Sequence, residues 1–456
     1  MATILITMSR GGTARNLLQT DFYNILKNSG HRIVILTPAY KDKRFLSEFS
    51  HPNVFFENLI ELDKWDFISR VIVGFNKGLV YNNSIAMRDR YGIYSPKEGS
   101  YFKYIFKKII FTPLSKLKFL KSFFRWLDNL LVKDNYYIDI FNKYNPDLVF
   151  STSSMEDYDV YVLKQAKSRG IKTIGMAKTW DNTSKMLFRV KADKFIVWSD
   201  YTKDEALKYQ NYKNKDIIMC GIPQFDFYKK PEYLMTREEF CNFIGLPLDK
   251  KIIVFCSEGK VAKHDGDIAK MIAGFIDDKK LIKDSVLFIR PHFMYKDDDK
   301  KFAEIKNTNT VFIDSNYDHS TGFKDRWDYS KNQIKYFTNI MRYADIVITS
   351  ASTISLDAAA FDKPVINITF DGYKKIPYAE SIAHWYDSEY HGRVVKTGGV
   401  WMVDNEIELL NSINSYLDNP TLLSAGRERL RNYFCYKIDG LSGNRIADAV
   451  LSFLNK

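Results

Sequence analysis

Short apolar runs rich in Ile, Val, Leu and Phe recur along the chain and alternate with longer stretches whose apolar positions fall three or four residues apart. The short runs are typical of strands buried on both faces of a parallel sheet, and the longer stretches of amphipathic helices. Strands are predicted in the first half at residues 4–7, 32–36, 54–57, 147–151, 172–176, 195–198 and 216–220, and in the second half at 252–256, 286–289, 311–314, 346–348, 365–368 and 400–403. This alternation of strand and helix indicates an α/β fold.

The stretch at residues 344–368 has the most informative pattern. A β-branched run is followed by small and hydroxylated residues, among them Ser350, Ser352 and Thr353, then by an Ala-rich helical segment that Pro364 ends. A strand that leads into the open N-terminus of a helix is a ready anion site. Asp357 falls in the first turns of this helix, where a carboxylate can accept hydrogen bonds from vicinal hydroxyls. The combination predicts a nucleotide site.

The length of 456 residues exceeds one ordinary hydrophobic core and predicts two domains. Glycine and proline at 221 and 223, followed by a polar stretch, mark the boundary. The predicted units are a first domain at 1–220 with a mostly helical insertion at about 63–133, a linker at 221–236, a second domain at 237–437 and a C-terminal segment at 438–456.

Composition places the protein among ordinary globular chains, with 45% hydrophobic and 27% charged residues. The four cysteines have no paired spacing, so neither a disulfide framework nor a metal knuckle is expected, and a reducing compartment is indicated. The first residues lack the features of a signal peptide, and no run of about 18 apolar residues occurs. We therefore expect a cytoplasmic protein that is soluble or peripheral on the inner face of the cell membrane.

More than half of the net charge of +12 lies in residues 101–133, which contain eight Lys or Arg and one Asp. Apolar residues recur there at helical spacing, including Phe102, Phe106 and Ile109, with lysines between them. Basic amphipathic helices of this composition lie in the interface of anionic membranes. The alternative is a core-facing helix pair with a solvated basic face. Nucleic-acid binding is not expected, because no nucleic-acid-recognition motif accompanies the basic stretch.

The first predicted strand leads into the sequence SRGGTARN and then into helical periodicity from 14 to 27. This resembles the first unit of a Rossmann-like domain, although the G-x-G-x-x-G fingerprint is absent. Gly11 and Gly12 allow a ligand to approach the backbone closely, and Arg10 or Arg15 can meet an anion. These four residues are candidates for the acceptor side of a cleft. The alternative is a plain tight turn.

Other polar residues follow predicted strands, at the edge where open α/β sheets place their ligands. Glu156, Asp157 and Asp181 are candidates for the base that would deprotonate an acceptor, while the first two would also suit the start of a helix as favourable charges. In the second domain, Ser257, Glu258 and Gly259 form a loop suited to phosphate.

The strand at 286–289 ends in Arg290 and His292. Positive charge from either side chain would stabilise a leaving nucleotide. A histidine at a strand end can also be an ordinary hydrogen-bond partner within the fold.

Several motifs resemble those of GT-B glycosyltransferases. Asp357 precedes Pro364 by seven positions, as in the donor-binding signature of that class, with Asp in place of the commoner Glu and Asp362 where Gly is usual. The succession WDN (180–182), VWSDYTKDEA (197–206) and GIPQFD (221–226) is similar to the CDP-glycerol glycerophosphotransferase-like and bacterial surface-polysaccharide transferase branch. The His-Gly-Thr motif usual in the N-terminal half of the teichoic-acid branch is absent here, so we expect glycosyl transfer.

The resemblance implies two Rossmann-like domains facing a central cleft, with a C-terminal helix that returns to the first domain. The second domain would bind a nucleotide-sugar donor through the serine, threonine, arginine, histidine and Asp357 candidates named above. The first would bind a glycan or lipid-linked acceptor. No cofactor or metal is implied. The alternatives are a CDP-glycerol-type glycerophosphotransferase, a UDP-sugar 2-epimerase-like enzyme and a non-catalytic membrane scaffold of the same shape.

Overall fold

The computed structural model describes residues 1–60, 67–93, 95–132, 135–295, 297–305, 308–317 and 319–455. Two parallel sheets organise these residues. The first contains β1 (Thr3–Thr7), β2 (Arg32–Thr37), β3 (Val54–Asn58), β4 (Leu148–Ser151), β5 (Lys172–Met176), β6 (Lys194–Val197) and β7 (Ile217–Met219). The second contains β8 (Lys251–Cys256), β9 (Ser285–Arg290), β10 (Val311–Ile313), β11 (Ile346–Thr349), β12 (Val365–Ile368) and β13 (Trp401–Val403). The predicted α/β class is confirmed.

Both sheets have the order of a doubly wound fold. The first runs β3-β2-β1-β4-β5-β6-β7 and the second β10-β9-β8-β11-β12-β13. The strand order reverses between β1 and β4 and between β8 and β11, and ligands of such sheets bind outside the carboxyl ends of the strands at these points. The loops and first helical turns after these four strands carry most of the predicted site residues.

Helices cover the sheets. Those of the first half are α1 (Gly11–Leu18), α2 (Asp21–Lys27), α3 (Lys43–Phe49), α4 (Phe67–Gly78), α5 (Asn83–Tyr91), α6 (Tyr101–Leu114), α7 (Lys118–Leu131), α8 (Ile138–Tyr144), α9 (Asp157–Ser168) and α10 (Asp200–Gln210). Those of the second half are α11 (Arg237–Ile244), α12 (Asp265–Asp277), α13 (Lys331–Tyr343), α14 (Ile354–Ala360), α15 (Glu389–Lys396), α16 (Glu406–Asp418), α17 (Ser424–Leu430) and α18 (Ser442–Leu454). No described helix is long and apolar enough to cross a membrane.

The first helical segment differs from its prediction. It begins at Gly11 instead of residue 14 and breaks between α1 and α2. Thr20 lies at the break and donates its hydroxyl to the carbonyl oxygens of Asn16 and Leu17, at 3.2 and 3.0 Å. Such local bonds compete with continuation of a helix. Because α1 begins at Gly11, the N–H groups of Gly11 and Gly12 belong to its first turn and are available to partners outside the helix.

The predicted insertion is bounded by residues 63 and 133, which lie outside the described residues. Helices α4 to α7 occupy the described part between them, and α7 packs in an unexpected orientation. Its only buried residues are Lys121 and Asp128, while Phe119 and Trp126 are exposed by 66% and 58%. Helix α6 buries no residue at all. The two helices face the core only in part, through Leu114 of α6 and Leu120 and Phe124 of α7, which are partly buried against a cluster that contains Leu79 and Val80.

The chain ends on the first domain, as predicted. Helix α18 packs on α2, and a Cβ at Gly443 would collide with Thr20. Asp226 accepts hydrogen bonds from the backbone N–H groups of Ser442 and Gly443, at 2.9 and 2.7 Å, and so caps the start of this helix. The first sheet ends at Met219 and the second begins at Lys251, while the domain boundaries at 220, 236 and 437 stay predictions.

Candidate functional site

A cavity of about 430 Å³ lies between the two domains, at the carboxyl ends of both sheets. It is bounded by the loops that follow the reversal points of the strand order, where a doubly wound fold binds its ligands. The predicted site residues that line it are Arg10, Gly12 and Arg15 from the first domain, and Ser257, Glu258, Arg290, His292, Ser352, Thr353 and Asp357 from the second. Residues from both halves of the chain thus face one cleft.

Asp357 lines this cavity and is 3% exposed. Its Oδ1 accepts hydrogen bonds from the Tyr228 hydroxyl at 2.5 Å and from Gln224 Nε2 at 2.6 Å. Arg15 reaches the same group by donating to Gln224 Oε1 at 2.7 Å. Burial raises the pKa of Asp357 to about 6, while Tyr228 and Arg15 act in the opposite direction. The side chain is therefore an anion at neutral pH, held ready to accept hydrogen bonds from a ligand.

The head of α14 faces the cavity and is not covered by packed side chains. Ser352 and Thr353 both line it, and Trp180 Nε1 from the first domain donates to Thr353 Oγ1 at 3.2 Å. Ser350 is buried by 98% and is not among the lining residues. The contact between Trp180 and Thr353 is one point at which the two domains meet across the cleft.

The loop after β8 supplies two lining residues. Asp265 accepts from Ser257 Oγ at 2.7 Å and from the backbone N–H of Glu258 at 3.0 Å, which fixes the shape of the loop. Burial raises the pKa of Glu258 to about 8, so this carboxyl carries its proton at neutral pH and can donate. Gly259 is not among the lining residues. Its φ of 62° is in the left-handed region, and a Cβ there would collide with the ring of Tyr295.

His292 enters the cavity from the loop after β9. Its backbone N–H donates to Asp298 Oδ2 at 2.7 Å, and its Nδ1 accepts from the N–H of Met294 at 3.3 Å. Burial lowers the pKa of this imidazole to about 4. The neutral ring therefore carries its proton on Nε2, from which it can donate to an oxygen in the cavity. Arg290 lies 3.8 Å from Asp314 and adds positive charge to the same wall.

The first turn of α1 forms the opposite wall. The N–H groups of Gly11 and Gly12 donate to Oδ1 and Oδ2 of Asp325, at 3.0 and 3.3 Å. The guanidinium of Arg15 lies 4.3 Å from the centroid of the Trp327 ring. Gly12 lines the cavity, whereas Gly11 is covered by the Trp327 backbone. Asp325 and Trp327 belong to the second half of the chain, so this wall is shared by both domains.

The three carboxylates predicted as bases do not line this cavity. Glu156 forms ion pairs with Arg10, at 3.2 Å, and with Lys178, and although burial opposes ionisation these cations lower its pKa. Asp157 pairs with Arg189 at 3.1 Å. Glu156 holds two cations that do line the cavity, and its role as a base stays a prediction, as does that of Asp157.

Asp181 lies next to two lining residues, Thr179 and Trp180. It accepts from the Thr179 hydroxyl at 2.6 Å and forms an ion pair with Lys185 at 2.5 Å. Burial opposes ionisation, but Lys185 lowers the pKa of Asp181. A carboxylate with a lowered pKa and a close cation is a weak proton acceptor, so its role as a base also stays a prediction.

Four further residues shape the site and were not predicted. Gln224 and Tyr228 fix Asp357, while Asp325 and Trp327 cover the first turn of α1. Gln224 belongs to the motif GIPQFD, but that motif indicates no contact with Asp357. The sequence KDRWD at 324–328, a tryptophan among charged residues in a loop, was a signal that could have drawn attention to the other pair.

The described residues contain no group of three or more His, Cys, Asp or Glu side chains arranged to hold a metal ion. All four cysteines are buried and free. The polar groups of the cavity are instead hydroxyls, amides, three arginines, one lysine, one histidine and carboxyls of different pKa.

A two-domain fold with its cavity between the domains defines the GT-B class, and comparisons with solved structures agree. A glycosyltransferase from Rickettsia africae matches with a TM-score of 0.51 at 15% identity, covering 99% of this chain and 98% of that one. The UDP-GlcNAc 2-epimerase from Neisseria meningitidis bound to UDP-GlcNAc matches with a TM-score of 0.56 at 11% identity, covering 99% and 100%. At these identities the likeness shows the fold alone, and the predicted GT-B fold is confirmed.

The family is shown by the sequence. Residues 157–452 match the model of the CDP-glycerol:poly(glycerophosphate) glycerophosphotransferase family, and the chain belongs to this family. Minor teichoic acid biosynthesis protein GgaB of Bacillus subtilis (strain 168) is 23% identical over 259 residues, or 54% of this chain and 24% of that protein. The chain therefore spans about a quarter of the length of this curated relative. The predicted branch and the prediction of a transferase are confirmed.

Proposed function

We propose that the protein transfers a polyol phosphate from a cytidine-diphosphate-activated donor to a terminal hydroxyl of an anionic cell-surface polymer. The cavity between the domains carries this proposal, because it combines a carboxylate, hydroxyls and cationic groups at the reversal points of both sheets. Membership of the glycerophosphotransferase family supports the class of donor. In this reaction the oxygen of the acceptor hydroxyl attacks the β-phosphorus and gives up its proton, the bond between this phosphorus and the bridging oxygen breaks, and CMP leaves with the bridging oxygen.

The donor side of the cavity divides into two parts in this proposal. Asp357 accepts the ribose hydroxyls, for which its second oxygen and its ionisation at neutral pH suit it. His292 Nε2, Arg290 and the hydroxyls of Ser352 and Thr353 surround the two phosphates. In this proposal their donors offset the negative charge that develops on the leaving phosphate.

A second candidate is glycosyl transfer from a nucleotide sugar, and the spacing of Asp357 and Pro364 favours it. The two reactions differ in the nucleotide that they release. Transfer of a glycosyl group breaks the bond between the sugar carbon and the phosphate, so that the nucleoside diphosphate leaves. Release of CMP from CDP-glycerol supports the first proposal, and release of UDP from a UDP-sugar supports the second.

The function is tested by nucleotide binding, with Asp357→Asn as the diagnostic variant. We expect CDP and CMP to raise the melting temperature of the wild type more than UDP or GDP. Loss of charge-assisted hydrogen bonds should weaken CDP binding in the variant by about 1–3 kcal/mol in calorimetry. The wild-type affinity should fall as the pH drops through about 6, because the carboxylate becomes protonated, whereas the affinity of Asp357→Asn should stay flat.

Asp362→Asn is the matched control, because it removes a carboxylate that pairs with Arg427 at 2.9 Å and is not among the lining residues of the cavity. This variant should bind CDP like the wild type. If Asp357→Asn binds CDP as tightly as the wild type, Asp357 does not contact the nucleotide. If none of the four nucleotides raises the melting temperature, the transferase proposal for this cavity is wrong and a non-catalytic role is favoured.

We also propose that α4, α6 and α7 place the protein on an anionic membrane surface. Exposed apolar side chains are concentrated on these helices, namely Phe67, Ile68, Val71, Phe75, Tyr101, Phe102, Phe106, Ile109, Phe119, Phe123, Trp126, Leu130 and Leu131. Phe102 is 86% exposed. The exposed lysines of α6 and α7, namely Lys103, Lys108 and Lys118, lie among these side chains, and the combination of apolar and cationic groups suits a lipid interface better than water.

Co-sedimentation with vesicles tests this surface. We expect the wild type to bind vesicles that contain phosphatidylglycerol, and to bind less as sodium chloride rises, because the lysines are screened. A triple variant with serine at Phe102, Phe106 and Ile109 should lose most of this binding and stay folded, since α6 buries no residue. Serine at Phe243 and Ile407, two exposed apolar residues of the second half, should leave binding unchanged. Binding that ignores anionic lipid, salt and the triple variant would contradict the proposal.

A further inference from the structure

A second cavity of about 370 Å³ lies beside the first. It is bounded by the first domain on one side and by a loop of the second half of the chain on the other. Its lining residues are Ser9, Arg10, Pro38, Asn58, Leu59, Tyr158, Thr321, Gly322, Phe323 and Lys324. Arg10 lines both cavities, and both lie at the carboxyl ends of the strands of the first sheet. The two cavities are therefore neighbours that share one cation.

The loop at 321–327 separates them. Its first four residues line the second cavity, and Asp325 and Trp327 line the first. The loop is fastened to α1 by the carboxylate of Asp325, which accepts from the N–H groups of Gly11 and Gly12 at 3.0 and 3.3 Å. Removal of this carboxylate would release the contact that joins the loop to the first domain at this point.

Asp325 occupies the position where a helix binds an external oxyanion. The first N–H groups of α1 have no partner within the helix, and the helix dipole favours negative charge there. Arg10, at the N-cap of α1, adds a positive charge. Burial raises the pKa of Asp325, although the N–H groups of Gly11 and Gly12 act against it. The protein thus keeps a buried carboxylate of its own in a place shaped for an anion.

An independent observation indicates that a ligand also reaches the second cavity. Ser9 is 6% exposed, lines this cavity, and its Oγ makes no hydrogen bond to any described residue. Arg10 Nε is likewise buried without a partner among the described residues. Buried polar groups without partners carry a free-energy cost that a bound ligand removes. A phosphate beside α1 would offer acceptor oxygens to both groups.

We propose that the phosphate-bearing end of the acceptor enters through the second cavity and that its phosphate binds at the border with the first, beside Arg10. Asp325 holds this phosphate position on the N–H groups of Gly11 and Gly12 while no acceptor is bound. The incoming phosphate displaces the carboxylate from Gly11 and Gly12 and releases the loop at 321–327. The two cavities then join, and the terminal hydroxyl of the acceptor can reach the donor. This inference rests on the proposed function in one respect, namely that the acceptor is an anionic polymer.

Binding of inorganic phosphate to the full chain tests the inference. Asp325→Asn keeps the shape of the side chain and removes its charge, so phosphate should meet less competition at α1. We expect the variant to bind phosphate at least fivefold more tightly than the wild type in isothermal titration. Addition of Ser9→Ala should remove part of this gain. The gain should persist with CDP present, because in this proposal the donor phosphates and the N–H groups of Gly11 and Gly12 lie on opposite walls of the first cavity.

Asp226→Asn is a closely matched control. Asp226 also accepts from two successive backbone N–H groups at the start of a helix, at 2.9 and 2.7 Å, but it lines neither cavity. It should show no gain in phosphate affinity. Equal phosphate affinity of Asp325→Asn and the wild type would overturn the inference, and so would a gain that CDP abolishes.

A second measurement applies if Asp325→Asn does not fold. Phosphate should change the tryptophan fluorescence of the wild type, and Trp327→Phe should lack this change, since Trp327 belongs to the displaced loop. An unchanged wild-type signal up to saturating phosphate would then count against the inference. Neither measurement needs a donor or turnover. A negative result in the phosphate experiments therefore contradicts the phosphate site and not the proposed transferase function. A negative result in the nucleotide experiment contradicts the transferase function and not the phosphate site.

Discussion

Replacing His292 by alanine should lower the kcat for donor turnover by about 100- to 1,000-fold, the usual loss when one donor to a developing negative charge is removed. Burial lowers the pKa of the free imidazole to about 4. Two donor phosphates arriving in the cavity would raise this pKa, because a nearby anion favours the cationic ring. The ring then neutralises charge on the leaving nucleotide. KM for the donor should change less than kcat if this contact strengthens as the bond breaks.

His292→Asn separates this role from packing, since its amide can still donate and should restore part of kcat. His51→Ala is the control, because His51 lies next to β3 and lines neither cavity. Steady-state release of nucleotide from CDP-glycerol measures all three variants. Wild-type kcat in His292→Ala would exclude His292 from the reacting phosphates, whereas equal losses in His292→Ala and His292→Asn would indicate a structural role.

The fold could be predicted closely because its signals are local. A strand buried on both faces shows as a short apolar run whatever surrounds it, so the observed strands at Lys172–Met176 and Val365–Ile368 match their predicted bounds. Strand ends also bring candidate residues together, since ligands of doubly wound sheets bind at one edge. This is why Ser257, His292 and Thr353, far apart in sequence, line one cavity.

The site was less predictable because side-chain direction depends on tertiary contacts. Glu156 and Asp157 are adjacent in sequence and follow the same strand. Glu156 pairs with Arg10 at the cavity, whereas Asp157 pairs with Arg189 on the side of α7. The bonds from Gln224 and Tyr228 to Asp357 span 133 and 129 residues, and no sequence pattern indicates them. The loop that carries Asp325 has no periodicity from which its position could be inferred.

The orientation of helix α7 also depends on tertiary contacts that the sequence does not show. Periodicity identifies an apolar face and a charged face, but not which of them meets the protein. The usual expectation is a buried apolar face. In α7 the buried residues are Lys121 and Asp128, because Lys121 Nζ donates to the carbonyl oxygens of Lys208 and Tyr209 and Asp128 meets two cations. The orientation is set by these polar partners, which lie far away in the sequence.

The ion group around Asp128 is the strongest of the polar contacts that hold α7, and removing Asp128 should cause a large loss of stability. Asp128 is fully buried and lies 2.6 Å from Lys164 Nζ and 2.6 Å from Arg189 Nε. In Asp128→Ala two buried cations lose this anion, and removal of one partner from a buried ion group costs about 3–5 kcal/mol. Asp157, 3.1 Å from Arg189, still compensates one of them. We therefore expect a loss of about 3 kcal/mol in the free energy of unfolding, measured by urea denaturation.

Glu57→Ala provides the comparison, since it removes a carboxylate at a more exposed place, where it pairs with Lys143 at 2.7 Å and accepts from the Tyr144 hydroxyl at 2.6 Å. Its urea midpoint should fall by less than that of Asp128→Ala. Asp128→Ala should also weaken vesicle binding if folded, because it loosens the helix that carries Phe119 and Trp126. A midpoint of Asp128→Ala equal to that of Glu57→Ala would mean that the buried ion group does not fasten α7. The exposed apolar face would then need another explanation than a helix fixed by its charges.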